Sequence, residues 1–352
     1  MLSFQLEFFD RPLAQALRDT PVPQGSEVLL RVAACGVCHS DVHLQDGYFD
    51  LGDGRKLDIA RSVQPPRTLG HEIAGTVLAL GPEAQQAEGA PAPGDQRVVY
   101  PWIGCGGCAL CSAGAEHLCS APRALGINRD GGFADHVLVP HPRYLLAYDP
   151  LPADQACTCA CAGLTAYSAL KKAAPLGASD PWLIIGAGGV GLSAIRLARQ
   201  LYGSAPIVAE IDHGKWDLAR AAGAGELIDP TADGALKSLL EASGGVVAAI
   251  DFVGAAPTFD FGFGALRKGG RLISVGLFGG ATALMPAMLA MKAVSLTGSY
   301  VGSLREMHEL LSIARSGDLP AMPVVTQPLA AADQALFDLK AGRVRGRTIL
   351  VP

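Results

Sequence analysis

The sequence lacks the features that would place the protein in a membrane or on nucleic acid. No apolar run reaches the roughly 18 residues that a bilayer-spanning helix needs. No long basic run occurs, and the formal net charge is −5, which argues against nucleic acid as a partner. The start, MLSFQLEFFDRP, shows no basic segment followed by an apolar one, so we see no export signal. We therefore expect a cytoplasmic protein with neither a membrane nor a nucleic-acid partner.

Charged residues are also scarce, at 17%, whereas hydrophobic residues occupy 49% of the 352 positions. This composition is typical of a compact globular chain, long enough for two domains, and argues against disorder. Because we see no export signal, the nine cysteines are better explained by metal binding than by disulfides.

Four of these cysteines lie within fifteen residues, in the stretch GCGGCALCSAGAEHLC. They are Cys105, Cys108, Cys111 and Cys119. The spacing C-x2-C-x2-C-x7-C predicts one tetrahedral Zn²⁺ held by four thiolates, and such a closed set of ligands makes the zinc structural. Disulfides or scattered buried thiols are the competing interpretation, which the dense and regular spacing disfavours.

Two sequence patterns divide the chain. Short β-type runs between glycine and proline, such as EVLLRVAAC, dominate up to about residue 147. After about residue 150, apolar strands alternate with alanine-rich helical stretches, which predicts a doubly wound parallel sheet. We therefore predict an α/β protein with a mostly β domain from 1–147 and 295–352 and an inserted nucleotide-binding Rossmann domain from 148–294.

A glycine-rich turn, GAGGVG, lies between the apolar strand WLII and the helix LSAIRLARQ. This placement turns a weak GxGxxG pattern into a strong prediction of a dinucleotide site. Gly186 permits the tight turn, Gly188 lets the backbone approach a pyrophosphate, and Gly191 allows the helix to pack on the strand. Gly189 and Val190 complete the turn.

An acidic residue marks the expected adenosine-ribose position. Glu210 lies 19 residues after Gly191, at the end of PIVAE. A carboxylate there accepts hydrogen bonds from the ribose and repels a 2′-phosphate, so we predict NAD and not NADP. Asp212 is the second candidate for this role. Lys215 either reaches the ribose or is a solvated lysine at a helix start, and the sequence leaves this open.

Three further candidate zinc ligands are scattered along the chain: Cys38 in CGVCHSDVH, His71 in LGHE and Cys161 in CAGLTAY. Their spacing alone does not join them. Together with the four-cysteine loop and GAGGVG, however, these motifs follow the order and rough spacing of one family. Over nearly its whole length the chain resembles the zinc-dependent medium-chain alcohol dehydrogenases of microbial type. Cys157 and Cys159 lie close to Cys161, but the register of CAGLTAY favours Cys161.

The resemblance implies that the mostly β domain is GroES-like and carries the catalytic zinc. Cys38, His71 and Cys161 would hold this zinc and leave a fourth position open, which makes two zincs per chain. Glu72 would approach the metal during ligand exchange. Asp41 would orient His71, although a carboxylate that caps a helix is the alternative interpretation.

The activity that the resemblance implies is reversible hydride transfer between an alcohol and NAD, which gives an aldehyde or ketone. Ser40 would accept the alcohol's proton and pass it by way of the cofactor ribose to His43 at the surface. Without the resemblance, these two residues read more simply as a helix cap and a surface histidine. The resemblance implies that His39 and Arg347 contact the pyrophosphate of the cofactor. It also implies that Thr165 and Val190 lie against the nicotinamide.

Aromatic residues are the candidates for the substrate pocket. Trp102 aligns with a bulky pocket residue of the microbial members. Tyr48 or Phe49, together with Tyr300, falls near other pocket positions, and aromatic walls suit apolar alcohols. Any of these aromatics could instead belong to the core.

The segment 44–70 is longer than is usual in the family. We interpret it either as a rim or lid over the pocket that changes substrate preference, or as a solvated insertion. Its basic residues are Arg55, Lys56, Arg61 and Arg67.

The alternative function is a polyol, sugar or other specialised secondary-alcohol dehydrogenase of the same family. Such relatives usually carry an acid where this chain has Cys161. A protein that kept the fold and lost catalysis is disfavoured by the complete set of ligands and by Ser40 and His43. The family assembles through the edges of its nucleotide-binding sheets, so we expect a homotetramer, with a dimer as the other possibility.

Overall fold

The structure is a computed structural model, and it describes residues 1–60 and 62–352. Arg61 of the 44–70 segment lies outside the described residues. The strands are β1 (Leu2–Leu6), β2 (Ala14–Leu17), β3 (Val28–Gly36), β4 (Tyr48–Gly52), β5 (Arg55–Asp58), β6 (Arg67–Thr68), β7 (Glu72–Leu80), β8 (Gln96–Val99), β9 (His136–Val139), β10 (Leu145–Ala147), β11 (Trp182–Ile185), β12 (Ile207–Ala209), β13 (Glu226–Ile228), β14 (Val246–Asp251), β15 (Leu266–Ser274), β16 (Ser295–Gly298), β17 (Val324–Pro328) and β18 (Arg347–Val351). The α-helices are α1 (His39–Asp46), α2 (Ala109–Ser112), α3 (Ala153–Thr158), α4 (Leu164–Ala173), α5 (Gly189–Tyr202), α6 (Trp216–Ala222), α7 (Ala235–Ser243), α8 (Ala256–Ala265), α9 (Pro286–Lys292), α10 (Leu304–Arg315) and α11 (Ala332–Lys340).

Strands from both ends of the chain build one largely antiparallel sheet. Its order is β10-β8-β7-β3-β18-β17, with β9 also paired to β3. β3 has the alternation of a half-buried strand, since Val32 and Ala34 are buried whereas Arg31 is exposed. β3 ends where Gly36 lies opposite Glu72, the first residue of β7. The segment that follows β3 and the residue that precedes β7 therefore meet at one edge of this sheet.

A second sheet is wholly parallel within the described residues and has the order β13-β12-β11-β14-β15-β16. Its strand β11, WLII, is buried at every position, as expected for a parallel sheet covered on both faces. β12 and β14 lie on opposite sides of β11, so the topological switch point of the sheet falls at the end of β11. The predicted fold class, a mostly β part with a doubly wound parallel sheet, is confirmed.

The parallel sheet runs further along the chain than the sequence indicated. β16 pairs with β15 and yet lies beyond residue 294, where the prediction ended the nucleotide-binding domain. All four residues of β16 are exposed, so the strand lacks the buried apolar run that marks its neighbours. For this reason the sequence pattern assigned β16 to the terminal segment 295–352.

The 44–70 segment forms a hairpin of β4 and β5 that touches the other half of the molecule. Gly52 lies so close to the loop after β15 that a methyl group at this position would stand 2.6 Å from backbone atoms of Gly280 and Ala281. The two halves thus meet across a cleft with the hairpin at its edge.

In the described part of the chain, we find no helix with the length and apolar character needed to cross a membrane.

Candidate active site

The four cysteines of the loop converge on one point. Their sulfur atoms lie within 4.8 Å of one another, and the Cys108 and Cys111 sulfurs are 3.5 Å apart. All nine cysteines are free, so none of these contacts is a disulfide. Backbone N–H groups of Cys105 and Ala121 donate to the Cys119 sulfur over 3.3 and 3.4 Å. Hydrogen bonds from the backbone of Gly107 and from Cys119 lower the pKa of Cys105 to about 6, which favours a thiolate. This donor set fits Zn²⁺.

A second group of possible metal ligands forms from three distant segments. Cys38 follows β3, His71 precedes β7, and Cys161 lies in a π-helical turn, Cys159–Gly163, that joins α3 to α4. Their ligand atoms lie within 4.8 Å of one another, and the Cys38 and Cys161 sulfurs are 3.9 Å apart. All three residues are buried. His71 Nε2 is also buried and has no hydrogen-bond partner among the described residues, which fits a metal ion at this point.

Asp41 holds this group in position. Its carboxylate accepts hydrogen bonds from Cys38 N over 2.9 Å and from Gly70 N over 3.3 Å. The same carboxylate lies 3.2 Å from His71 Nδ1. Burial alone would lower the pKa of His71, but the Asp41 carboxylate and Cys38 raise it well above its ordinary value. Asp41 therefore combines the two roles that the sequence left open, since it caps α1 and faces His71.

Glu72 and Arg347 form a buried ion pair beside the three ligands. Arg347 Nη2 donates to Glu72 Oε2, and Glu72 Oε1 accepts from Ala162 N over 2.9 Å. Burial raises the pKa of Glu72 to about 7, although Arg347 opposes this shift. Gly189 leaves room for the Arg347 side chain. Arg347 Nε is buried without a partner in the described chain, so an anionic group between Arg347 and the start of α5 would fit there.

The glycine-rich turn has the geometry that its sequence predicts. Gly186 has φ +92°, a value that favours glycine, and Gly191 packs against the Gly186 backbone. Glu210 is buried and accepts hydrogen bonds from Ala187 N over 2.7 Å and from Asp212 N over 2.9 Å. Glu210 therefore lies directly beside the turn.

The two rival residues near the turn have different partners. Asp212 accepts a hydrogen bond from Gly214 N over 2.9 Å, at the start of a short 3-10 turn. The Lys215 amine lies 3.9 Å from Asp212. Neither residue reaches the turn as Glu210 does.

A cavity of about 320 Å³ lies in the cleft, with Cys38 and Cys161 in its wall. Of the residues predicted from the sequence, the cavity is also lined by His39, Ser40, His43, Trp102, Thr165, Val190 and Tyr300. Ser40 Oγ lies 3.8 Å from the Cys38 sulfur, and the His43 ring lies 5.4 Å from His39. Burial is the main cause that lowers the pKa of both His39 and His43.

Two aromatic predictions have different outcomes. The Trp102 ring lies 5.2 Å from His71 and 6.0 Å from Tyr300, and its indole N–H donates to Ala160 O over 3.0 Å. Tyr48, by contrast, is not among the described residues that line the cavity, and its ring lies under the Lys56 amine at 3.6 Å. Phe49 lines the cavity instead. Successive residues of a strand face opposite sides, so only one of the two can face the cavity.

Several cavity residues were missed from the sequence. Phe252 and Val275–Phe278 follow the carboxyl ends of β14 and β15, where ligands bind to parallel sheets, so this position was a usable signal. Ile59, Ser62 and Val63 come from the 44–70 segment, which therefore forms part of the cavity wall. His117 comes from within the four-cysteine loop, and no sequence signal indicated it.

Comparisons with known proteins agree with this geometry. Residues 24–149 match the family model for the alcohol dehydrogenase GroES-like domain, and residues 189–316 match the model for zinc-binding dehydrogenase. The chain is 36% identical to the NAD-dependent alcohol dehydrogenase of Sulfurisphaera tokodaii and 34% identical to that of Saccharolobus solfataricus, with 100% of each chain covered. It is also similar to the crystal structure of the alcohol dehydrogenase from Aeropyrum pernix, with a TM-score of 0.87, 31% identity and 100% of both chains covered.

Proposed function

The chain belongs to the zinc-type medium-chain alcohol dehydrogenases and is an NAD-dependent oxidoreductase of alcohols, and from this premise we propose how its own residues carry the reaction. The observation that carries the proposal is the convergence of Cys38, His71 and Cys161 on one point, with Cys38 and Cys161 in the cavity wall. Val190, from the glycine-rich turn, lines the same cavity. A zinc held by these three ligands and an NAD held at the turn would therefore meet in one cleft.

Cys38, His71 and Cys161 would hold the catalytic zinc, and the four-cysteine loop would hold a structural one. When bound, the catalytic zinc lowers the pKa of an alcohol at its open position and NAD accepts the hydride. The burial of the three ligands keeps bulk water away from the reacting atoms. Asp41 would orient the ring of His71, and a positioned ligand needs no rearrangement during the reaction.

Ser40 and His43 would remove the alcohol's proton. Both residues line the cavity, and Ser40 lies beside the ligand Cys38. A hydroxyl can accept one proton and release another, so Ser40 suits the first position. His43 is half-buried beside Phe49, with ring centres 4.7 Å apart. Because burial lowers its pKa, the His43 imidazole is neutral near pH 7 and can accept the proton on its way to solvent.

The cofactor contacts would divide along the cleft. Arg347 and His39 would bind the pyrophosphate, which the backbone of Gly188, Gly189 and Gly191 approaches at the start of α5. Glu210 would accept hydrogen bonds from the adenosine ribose, with Lys215 next to it. Thr165 Oγ1 is buried without a partner in the described chain, which supports its place with Val190 against the nicotinamide. Glu72 would keep Arg347 in place and approach the zinc during ligand exchange.

The assembly and location of the protein are also proposals. We propose a homotetramer, with a dimer as the other outcome, and a cytoplasmic location. The exposed strand β16 and the exposed apolar residues Met285 and Met291 near it support self-association through the edge of the parallel sheet. The two domains would be those predicted, except that the inner domain would extend through β16. Sedimentation measurements would distinguish the two oligomeric states.

Zinc content and NAD reduction in matched variants test this function. The wild-type protein should hold two zincs per chain and reduce NAD with at least one member of a panel of straight-chain, branched, cyclic and aromatic alcohols. Cys161→Ser should hold one zinc and lose the activity. Cys159→Ser, two residues away, should keep two zincs and the activity. If Cys159→Ser loses the catalytic zinc and Cys161→Ser keeps it, the assignment of Cys161 as a ligand is wrong. No activity with any alcohol in protein that holds two zincs would contradict the function itself.

A further inference from the structure

Two cavity residues carry a buried polar atom with no hydrogen-bond partner in the part of the chain that the structure describes. They are Thr165, through Oγ1, and His117, through Nδ1. Buried polar groups in folded proteins are nearly always hydrogen-bonded, so each such atom needs an explanation. The proposed nicotinamide site accounts for Thr165. His117 has no role in the zinc, cofactor or proton-transfer sites and so requires another one.

His117 enters the cavity from an unexpected direction. It lies in a 3-10 turn, Glu116–Leu118, within the four-cysteine loop, two residues before Cys119. The neighbouring residues of this wall, Pro122, Ala124 and Ile127, are apolar. Neither a proposed ligand of the catalytic zinc nor a proposed cofactor residue comes from this wall. An imidazole here would therefore meet the part of the substrate that takes no part in the reaction.

The other polar side chains of this wall already have partners. The Glu116 carboxylate accepts hydrogen bonds from Arg143 Nη2 over 2.6 Å and from the Tyr144 hydroxyl over 2.8 Å. Asn128 donates to Ser62 O over 3.1 Å and accepts from Ala124 N over 3.1 Å. Among the residues of this wall that the structure describes, His117 therefore remains available to bond a ligand.

The charges near His117 oppose each other. Glu306 and Lys172 act on the imidazole with opposite sign. Each is itself engaged, because Glu306 accepts from Ser303 N over 2.8 Å and Lys172 donates to the Ser299 hydroxyl over 2.8 Å. Because the two charges partly offset each other and each already has a partner, neither is set up to bind a charged group of the substrate strongly. The wall therefore suits an uncharged polar group.

We propose that His117 is a specificity-determining residue that hydrogen-bonds a second, uncharged polar group of the substrate. The substrate class is an alcohol whose hydroxyl, ether or carbonyl group lies at the end away from the reacting carbon. An apolar stretch separates the two groups, because Phe49, Trp102 and Ile103 line the same cavity with large apolar side chains. This inference rests on the proposed alcohol dehydrogenase function and extends it to a class of substrate.

The test compares methoxy-terminated primary alcohols of increasing chain length with unbranched primary alcohols that have the same number of non-hydrogen atoms. For the best chain length, the wild-type protein should have a higher kcat/KM for the methoxy member. His117→Leu should lower this methoxy-to-alkyl ratio by about 10-fold, mainly through KM, because a polar group left unpaired in a pocket is strongly disfavoured. His117→Asn, which keeps a donor and an acceptor, should retain most of the preference. His308→Leu, which removes an exposed histidine that does not line the cavity, should leave the ratio unchanged.

Several results would overturn the inference, and they are separable from failure of the function. If the wild type favours the alkyl member at every length while it oxidises alcohols, His117 does not bond the substrate and the function stands. The same holds if His117→Leu keeps both zincs and shows the wild-type ratio. If His117→Leu loses a zinc, the methoxy-to-alkyl ratios of the wild type and of His117→Asn test the inference instead. A preference for the methoxy member in both supports it, and no preference in either overturns it. If the wild type with two zincs oxidises no alcohol, the proposed function fails and this inference with it.

Discussion

The four-cysteine loop and the Cys38–His71–Cys161 group offer zinc similar ligands in opposite settings. The loop takes its ligands from one short stretch of the chain, and three of its four cysteines are partly exposed. The other group takes its ligands from three distant segments, all buried, and two of them, Cys38 and Cys161, lie in the cavity wall. Asp41, Glu72 and Arg347 are buried beside this group. A zinc that only stabilises a loop needs four ligands at suitable spacing in one short stretch. A catalytic zinc also needs an open coordination position and a shielded cavity, which only the whole fold can provide.

The largest expected difference between the two regions is in catalysis. Ser40→Ala should lower turnover by about 10²- to 10⁴-fold, because Ser40 accepts the alcohol's proton. Ser112→Ala, at the exposed end of α2 in the loop, should have no effect. Both variants should hold two zincs. Unchanged turnover in Ser40→Ala across pH, under conditions where chemistry limits the rate, would remove Ser40 from the proton path.

The buried ion pair should matter more for stability than its counterpart near the loop. Arg347→Leu leaves Glu72 buried without its partner and should lower the free energy of unfolding by about 3–5 kcal/mol. Arg143→Leu removes the half-exposed partner of the buried Glu116, which keeps hydrogen bonds from the Tyr144 hydroxyl and Gly104 N, and should cost less, about 1–3 kcal/mol. Denaturant unfolding of both variants measures the contrast. Equal losses of unfolding free energy in the two variants would show that the buried setting of the Glu72–Arg347 pair does not increase its contribution to stability.

The two zincs should respond differently to a change at Asp41. Asp41→Asn removes the charge that faces His71 and should weaken binding of the cleft zinc by about 10- to 100-fold. The zinc of the four-cysteine loop should be unaffected. Asp46→Asn, on the same helix but paired with Lys340, is the matched control. Competition with a chromophoric chelator measures each zinc, and parallel loss of both zincs from Asp41→Asn would contradict the assignment.

The smallest expected effect is on the stability of the folded protein at acidic pH. Burial lowers the pKa of His43 in the folded protein below its ordinary value of 6.5. Between these two pKa values the unfolded chain binds more protons than the folded one, so this contribution is fully present above pH 6.5 and is lost as pH falls through the folded pKa. His43→Gln should therefore lose less stability than the wild type between pH 7.5 and pH 5.5. Thermal midpoints at the two pH values test this, and an equal or larger loss in the variant would contradict it.

The comparison also explains how much the sequence could predict. The residues of the four-cysteine loop and those of the glycine-rich turn each lie in one short stretch, so spacing alone identifies both sites, and in the structure each set lies together. Cys38, His71 and Cys161 could be grouped only through the family resemblance, because strand pairing between β3 and β7 and the π-helical turn bring them together.

Other parts of the site depend on geometry that the sequence does not reveal. The choice between Tyr48 and Phe49 depends on which face of β4 meets the cavity, and a shift of one residue reverses it. His117 enters the cavity only because the loop folds over it. β16 joins the parallel sheet although it lies beyond the predicted boundary, because an exposed edge strand carries no buried apolar pattern that a sequence could reveal.

Anomalous diffraction at the zinc absorption edge, from crystals of the purified protein, tests the central claim most directly. The account predicts two peaks per chain, one among the four loop sulfurs and one about 2.3 Å from the sulfurs of Cys38 and Cys161 and about 2.0–2.1 Å from His71 Nε2. A single peak in the four-cysteine loop, or a cleft peak bound by Cys159 in place of Cys161, would contradict it.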